Sequence, residues 1–372
     1  MPAARVTIED VARAAGASVA TVSRALRDQP EVSAQTRRRI IRTARRLGYV
    51  PNRAARSLVV RATQTLGLLI PDATDPIHGQ VATGFEQEST AHGYTVILAN
   101  GFDDPAQERP ALMSFAMHRA DGIAVMGSVL KQREVRAAVR PSPVVFVNGE
   151  HPSLAGYQAD LATGCLRADD LDGIKAVVQH LLDSGCRRLA YAGGPGSASD
   201  LTRRDAVIQA LAGAKAARPR VFVSRSEAWE SDGALAAAIA RDRPEAVICY
   251  DDKLALHLLD ALRAYGITVP RDMALVGFDD IPFARLANPR LTTVAQPSVE
   301  MGRLAAAMLL RAIHTGVMPQ SVRLPVHLVV RESTVRGTAR ALRRRGAGVQ
   351  QTPAHAHTGI TTTGSAPARR PR

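Results

Sequence analysis

The chain has 372 residues, 46% of them hydrophobic, which is enough for two or three domains with buried cores and too much for a disordered protein. Its formal charge of +14 sits at the ends: residues 1–62 hold 13 Arg against four acids, residues 339–372 hold seven Arg and no acid, and the body between carries −2. Basic ends on a near-neutral body point to a polyanion partner, nucleic acid or, on charge alone, an anionic lipid surface.

Three short helices are expected over 1–50. Thr7 with Asp10 caps the first, ahead of Ile8, Val11, Ala12 and Ala15, and Ser18 caps the second, with Val22, Ala25 and Leu26. Ser33 caps the third, which turns Ile40, Ile41, Ala44 and Leu47 inward and ends at Gly48. The stretch TIEDVARAAGASVATVSRAL (7–26) has helix-turn-helix spacing: Ala12 is small where the helices approach, and Gly16 supplies the left-handed turn residue four positions on. With Val22 and Ala25 inside, Val19, Ala20, Ser23 and Arg24 face out. Arg24 suits a bidentate contact to guanine O6 and N7. Thr7, Thr21 and Ser23 suit phosphate oxygens, and Ser18 at the start of the reading helix joins this candidate set. At 51–62, Pro51-Asn52 opens a hinge helix that mixes small and basic residues. Such a helix is too short to hold alone in water. It is expected to order only when paired with its twin in a groove, Ala54 and Ala55 permitting close approach.

From residue 65 apolar runs alternate with amphipathic stretches. The strands expected are LGLLI (66–70), YTVILA (94–99), GIAVM (122–126), VVFV (144–147), RLAYA (188–192), RVFV (220–223), AVICY (246–250) and ALVGF (274–278). Helical patterns at 78–92, 105–119, 173–184, 202–217 and 253–265 fall between them, the mark of parallel sheets covered on both faces, in one large sheet or two small ones. Several runs end in polar or small residues, Asp72, Asn100, Asn148, Gly193-Gly194, Asp251-Asp252 and Asp279-Asp280, where open α/β sheets place ligands. Residues 339–372 lack periodicity and read as a disordered basic tail.

TIEDVARAAGASVATVSRAL followed by GYVPNRAARSL (48–58) resembles the lactose/galactose repressor (LacI/GalR) family. The resemblance continues through LGLLIPDATDP (66–76), GYTVILAN (93–100), RADGI (119–123), LALHLLDALRAYGITVPRDMALVGFDDIP (254–282), LTTVAQPSVEMGRLAAAMLL (291–310) and LVVREST (328–334). It implies an α + α/β fold: a three-helix helix-turn-helix head (1–50), a hinge helix (51–62) and a two-subdomain α/β periplasmic-binding-protein-like core (63–338). Its N-subdomain would span about 64–163 and 294–322, and its C-subdomain about 164–291 and 323–338. The resemblance adds Asn52, Ala55 and Leu58 to the DNA-binding set, Leu58 as the wedge at a central minor-groove step. It also implies effector contacts at Ile77, His78, Arg203, Asp251 and Asp279, with Trp229 close to a position where the family often has an aromatic. Acids accept bonds from vicinal hydroxyls and Arg203 donates in a fork.

The chain departs from that pattern in the cleft. Asp75-Pro76-Ile77-His78 stands where the family often has Asn-Pro-Phe-Phe, Asp251-Asp252 where it often has Asn-Asp, and Ala206-Val207 where it usually has Gly-Phe. The extra acid at 251 favours a polyol or an amine-bearing ligand over an anionic one. An enzyme is the rival class, but 193–198 reads GGPGSA rather than GxGxxG, and there is no Walker, GxSxG or HExxH motif. No cofactor or metal is expected; His355 and His357 lie in the tail. Cys165, Cys186 and Cys249 have no CxxC spacing and suit a reducing cytosol. No apolar run nears the ~20 residues that span a bilayer, and the N-terminus has no signal core. The expectation is a cytoplasmic, nucleoid-associated repressor. Its partners are a pseudo-palindromic DNA duplex, a small polar effector such as a carbohydrate, and a second copy of itself in a homodimer.

Overall fold

The computed structural model describes residues 6–50, 62–149, 164–194, 197–224 and 233–335. The expected hinge residues Asn52, Ala55 and Leu58, the aromatic Trp229 and the basic tail lie outside the described residues.

Three helices form the head: α1 (Ile8–Ala15), α2 (Val19–Leu26) and α3 (Ala34–Leu47). A capping box starts α1, with Asp10 N donating to Thr7 Oγ1 at 3.3 Å and Thr7 N donating to Asp10 Oδ2 at 2.9 Å. Ser18 and Ser33 accept from the third residue beyond them, at 3.1 and 3.3 Å. Gly16 ends α1 at φ 58 with open space around its Cβ position, so backbone conformation rather than crowding requires glycine there. Val11, Val22 and Ile40 are fully buried among Ala12, Ala15, Ala25 and Ala44, and these small residues let the three helices close on one another.

The core carries two parallel sheets. The first contains β1 (Thr65–Ile70), β2 (Thr95–Asn100), β3 (Gly122–Met126), β4 (Val144–Val147), β5 (Cys165–Ala168) and a late strand at Val322–Leu324, in the order late strand-β5-β4-β3-β1-β2. Alternate strand residues face opposite layers. Leu66, Leu68 and Ile70 pack on α4 (Pro76–Ala91) and a long helix at Ser298–Thr315; Leu69, Ile123 and Val125 pack with α5 (Pro105–Met117) and α6 (Gln132–Ala138). After α7 (Asp170–Asp183) the second sheet has β6 (Leu189–Gly193), β7 (Arg220–Val223), β8 (Ala246–Cys249) and β9 (Ala274–Val276), in the order β7-β6-β8-β9. One of its faces is covered by α7 and α8 (Ala198–Gly213), the other by α9 (Gly233–Asp242) and α10 (Asp252–Ala261). The eight expected strands thus divide into two sheets.

Four strands were not expected: β5, β10 (Thr293–Ala295), β11 (the late strand) and β12 (His327–Val329). The long helix between β10 and β11 is α11. Strand β10 pairs antiparallel with β12 and bridges the second sheet at Asp279–Ala295 and Val276–Thr292. Strand β5 runs parallel to β4, and β11 runs parallel to β5, inside the first sheet. The crossings between subdomains therefore fall after Ala168, Ala295 and Leu324, four residues beyond the position near 164 implied by the resemblance and one residue beyond those near 294 and 323. The chain completes each strand's ladder before it leaves the sheet.

Candidate ligand cleft and nucleic-acid interface

The carboxyl ends of both sheets meet across a cavity of about 330 Å³. Ile77, His78, Arg203, Asp251 and Asp279, named from sequence, all line it. Ile77 sits in the first turn of α4, whose N-cap Asp75 accepts from Ile77 N at 3.0 Å. His78 Nδ1–H donates to the Asp72 carbonyl at 2.7 Å, which fixes the ring tautomer.

Arg203 does not present the open fork expected of it. Only 3% exposed, it donates from Nε to Asp170 at 3.1 Å and from a terminal nitrogen to the Tyr250 carbonyl at 2.5 Å. It also approaches Asp279 Oδ1 at 3.5 Å, and its guanidinium carbon stacks 3.7 Å above the Phe278 ring. Burial alone would lower its pKa, but Asp170 and Asp279 outweigh burial and raise it. Arg203 therefore holds Asp279 in place from within the cavity lining, with its nitrogens already engaged by protein groups.

Asp279 takes φ 114, a left-handed geometry that a side chain rarely adopts. Phe102, Asp103 and Asn148 also line the cavity at positive φ. Burial raises the Asp279 carboxyl well above its ordinary range, and the charges of Asp251, Asp252 and Asp75 add to that against Arg203. Asp251, 4% exposed, caps α10 by accepting from Leu254 N at 2.8 Å; burial pushes its carboxyl up to about 6 against that bond, with Asp75 adding to the rise.

Sequence reading missed the residues that join the two walls. Lys253 Nζ, in the first turn of α10, lies 3.0 Å from Asp75 Oδ2 on the opposite subdomain. Burial would lower the lysine's pKa, but Asp75 outweighs it and holds the ammonium charged. Gln296, at the second crossing, donates to Asp279 Oδ1 and lies 3.5 Å from Asn148. Asp72 and Asn148 carried a signal as polar residues ending apolar runs. Lys253 and Gln296 carried none, because their partners are far away in sequence.

On the head, Thr7, Ser18, Val19, Ala20 and Arg24 are exposed, while Thr21 and Ser23 are partly covered. Ser18 and Thr21 share a hydroxyl hydrogen bond of 2.8 Å. Arg24 makes no ion pair among the described residues. Its helix buries Val22 and Ala25 on the opposite side, so the outward face is not needed for packing. No helix among the described residues is long and apolar enough to cross a membrane.

A helix-turn-helix head ahead of two parallel α/β subdomains that close on a polar cleft defines a regulator with a periplasmic-binding-protein-like core. Residues 7–52 match the family described as bacterial regulatory proteins, lacI family, and residues 178–334 match a periplasmic binding protein-like domain. The chain is 32% identical over 334 residues to the HTH-type transcriptional regulator GalR of Escherichia coli (strain K12), covering 88% of this chain and 95% of that protein. It is 30% identical over 341 residues to the HTH-type transcriptional repressor CytR of the same organism, covering 90% and 97%. Among solved structures, a lac repressor dimer bound to operator and the anti-inducer ONPF has TM-score 0.78 at 24% identity, covering 89% of this chain and 100% of that one. The transcriptional regulator CelR–cellobiose complex has TM-score 0.65 at 27% identity, covering 88% and 100%. The chain belongs to the LacI family. It is a DNA-binding transcriptional regulator, as those relatives are, and not an enzyme.

Proposed function

We propose that this regulator represses transcription by binding a pseudo-palindromic operator as a homodimer in the cytoplasm, with operator affinity set by a small polar ligand in the cleft. The observation that carries the reading is the division of α2 into a fully packed face, Val22 and Ala25, and an outward face bearing Val19, Ala20 and Arg24. On this reading Arg24 contacts a guanine in each half-site, and Thr7, Ser18, Thr21 and Ser23 hold phosphates. Asn52, Ala55 and Leu58 occupy the minor groove between the heads. Ile77, His78, Asp251 and Asp279 contact the ligand, and Arg203 orients Asp279. The head (1–50), hinge (51–62) and core (63–338) act as separate units of one switch. The solved relatives, one a dimer on operator DNA and one holding cellobiose, support the partner classes. A ligand that prefers one angle between the subdomains alters the spacing of the two hinges, and so the affinity for DNA.

The test is selection of bound duplexes from sheared genomic DNA by the full-length protein and by Arg24→Ala, each sequenced at fixed moderate salt. The expected result is an inverted repeat for the wild type. The variant should lose preference at one base pair per half-site, at a cost of ~1–3 kcal/mol per contact. An unchanged sequence preference removes Arg24 from the reading face, and no enriched site with or without cell extract overturns the function.

A further inference from the structure

The charges that line the cleft do not balance. Acids outnumber cations among its lining residues, with Asp72, Asp75, Asp251 and Asp279 against Arg203 and Lys253. Both cations are already committed. Lys253 sits on Asp75 at 3.0 Å, and Arg203 is divided between Asp279 and Asp170, a further carboxylate behind the wall. Asp279 is 8% exposed, and its Oδ1 is taken by Gln296 and Arg203, while its Oδ2 has no partner among the described residues. A buried carboxylate oxygen that borders a cavity and lacks a donor is stabilised by whatever donor enters. No group of three or more acids, histidines or cysteines that could hold a metal ion occurs among the described residues. The negative charge is spread over the walls, which suits an organic cation of polyol size rather than a metal.

We propose that the effector is a polyol bearing a protonated amine, with its ammonium on the free oxygen of Asp279 and its hydroxyls on neighbouring polar groups such as His78 and Asn148. The inference rests on the cleft being the effector site. It goes further by assigning the ligand's charge. An anionic ligand would meet acids on both walls, and a neutral sugar would donate only a hydroxyl to Asp279 and leave unopposed the burial that raises its carboxyl, whereas an ammonium favours the ionised form. A charge-assisted bond is the stronger of the two.

The experiment uses the full-length protein at neutral pH and constant ionic strength. Binding is measured by calorimetry for glucosamine, galactosamine and mannosamine, each beside its parent hexose and the matching hexuronate. In at least one frame the amine should bind about tenfold or more tighter than the parent, with the uronate weakest. Asp279→Asn should remove that advantage. Asp251→Asn, which keeps the α10 cap because asparagine also caps helices, should reduce it. Thermal unfolding of the unliganded variants establishes that each is folded. If a hexose or uronate binds at least as tightly as its amine and Asp279→Asn still weakens it, the cleft is the effector site and the charge assignment is overturned. If none of the nine binds, the amine assignment falls; if one binds and neither substitution alters its binding, the cleft is not its site and both readings fall.

Discussion

Asp252 shows how one buried group can tie several elements together. It is fully buried, accepts from Thr293 Oγ1 at 2.5 Å and from Ile281 N at 2.9 Å, and donates its own N–H to the Phe278 carbonyl at 2.8 Å. The first turn of α10 is thereby joined to the loop after β9 and to β10. A Cβ on Gly277 would lie 2.1 Å from its Oδ1, so a side chain at that position would have to displace the carboxylate. Burial pushes the Asp252 carboxyl from the ordinary 3.8 up to about 8, against its hydrogen bonds and with the charges of Asp251 and Asp280 adding to the rise. A carboxyl raised in the folded state contributes stability that is complete below pH ~4 and is lost as pH rises through about 8. Asp251, raised to about 6, has the same sign over a narrower window. Asparagine at 252 accepts from Ile281 N and donates to Thr293 Oγ1, so Asp252→Asn keeps the geometry without the titration. Urea unfolding at pH 5, 7 and 8.5 should show wild-type stability falling relative to the variant as pH increases. Parallel curves would mean that Asp252 is ionised in the folded state throughout.

At the scale of elements, the first subdomain depends on the contact between α4 and α11. The two helices touch through their backbones. A Cβ on Gly84 would lie 1.9 Å from the Val299 carbonyl oxygen, and one on Gly302 would lie 1.9 Å from that of Val81 and 2.7 Å from Phe85 N. Backbone atoms cannot turn aside as a flexible side chain can, so Gly302→Ala must push the helices apart. That loosens Val81, Phe85, Met301 and Ala305 in the core and should cost about 3 kcal/mol. Gly79, also in α4, has open space at its Cβ position, and Gly79→Ala should stabilise by ~0.5–1 kcal/mol through helix propensity alone. Thermal unfolding of the two variants separates these effects, and equal destabilisation would dismiss the close approach. Such pairings were illegible in sequence, because a glycine inside a helical pattern looks alike whether it faces solvent or another helix. The head was legible, because each cap and turn there is a local device within three or four residues. Strands of continuous apolar residues were legible too. Strand β5 was hidden by Arg167 in its middle, and β10, β11 and β12 are only three residues each.

For the whole molecule, the cleft residues that end apolar strand runs could be read from one strand at a time, whereas the contacts that close the cleft could not. The Asp75–Lys253 pair is one of these, since it forms only when α4 of one subdomain approaches α10 of the other. Lys253 is 38% exposed and Asp75 9%, so solvent screens the pair and its worth is ~0.5–1 kcal/mol. That is small against folding but decisive for an equilibrium between open and closed cores, where it amounts to a factor of about 2–5. Lys253→Met keeps the stem and removes the charge. It should lower the closed population without ligand by that factor, and weaken any ligand that prefers the closed state equally. Linkage then sets the sign at the DNA. If ligand closes the cleft and releases operator, the unliganded variant binds operator as tightly as wild type or more tightly, by at most that factor; if ligand closes the cleft and strengthens binding, the variant binds more weakly by about 2–5-fold. Operator titrations of both proteins, with and without a bound ligand, read the two signs directly. A variant that shifts operator affinity in the same direction as the ligand would show that the ion pair does not report closure, and that the coupling between cleft and head runs through other contacts, with the Gln296 bridge at the second crossing the next to remove.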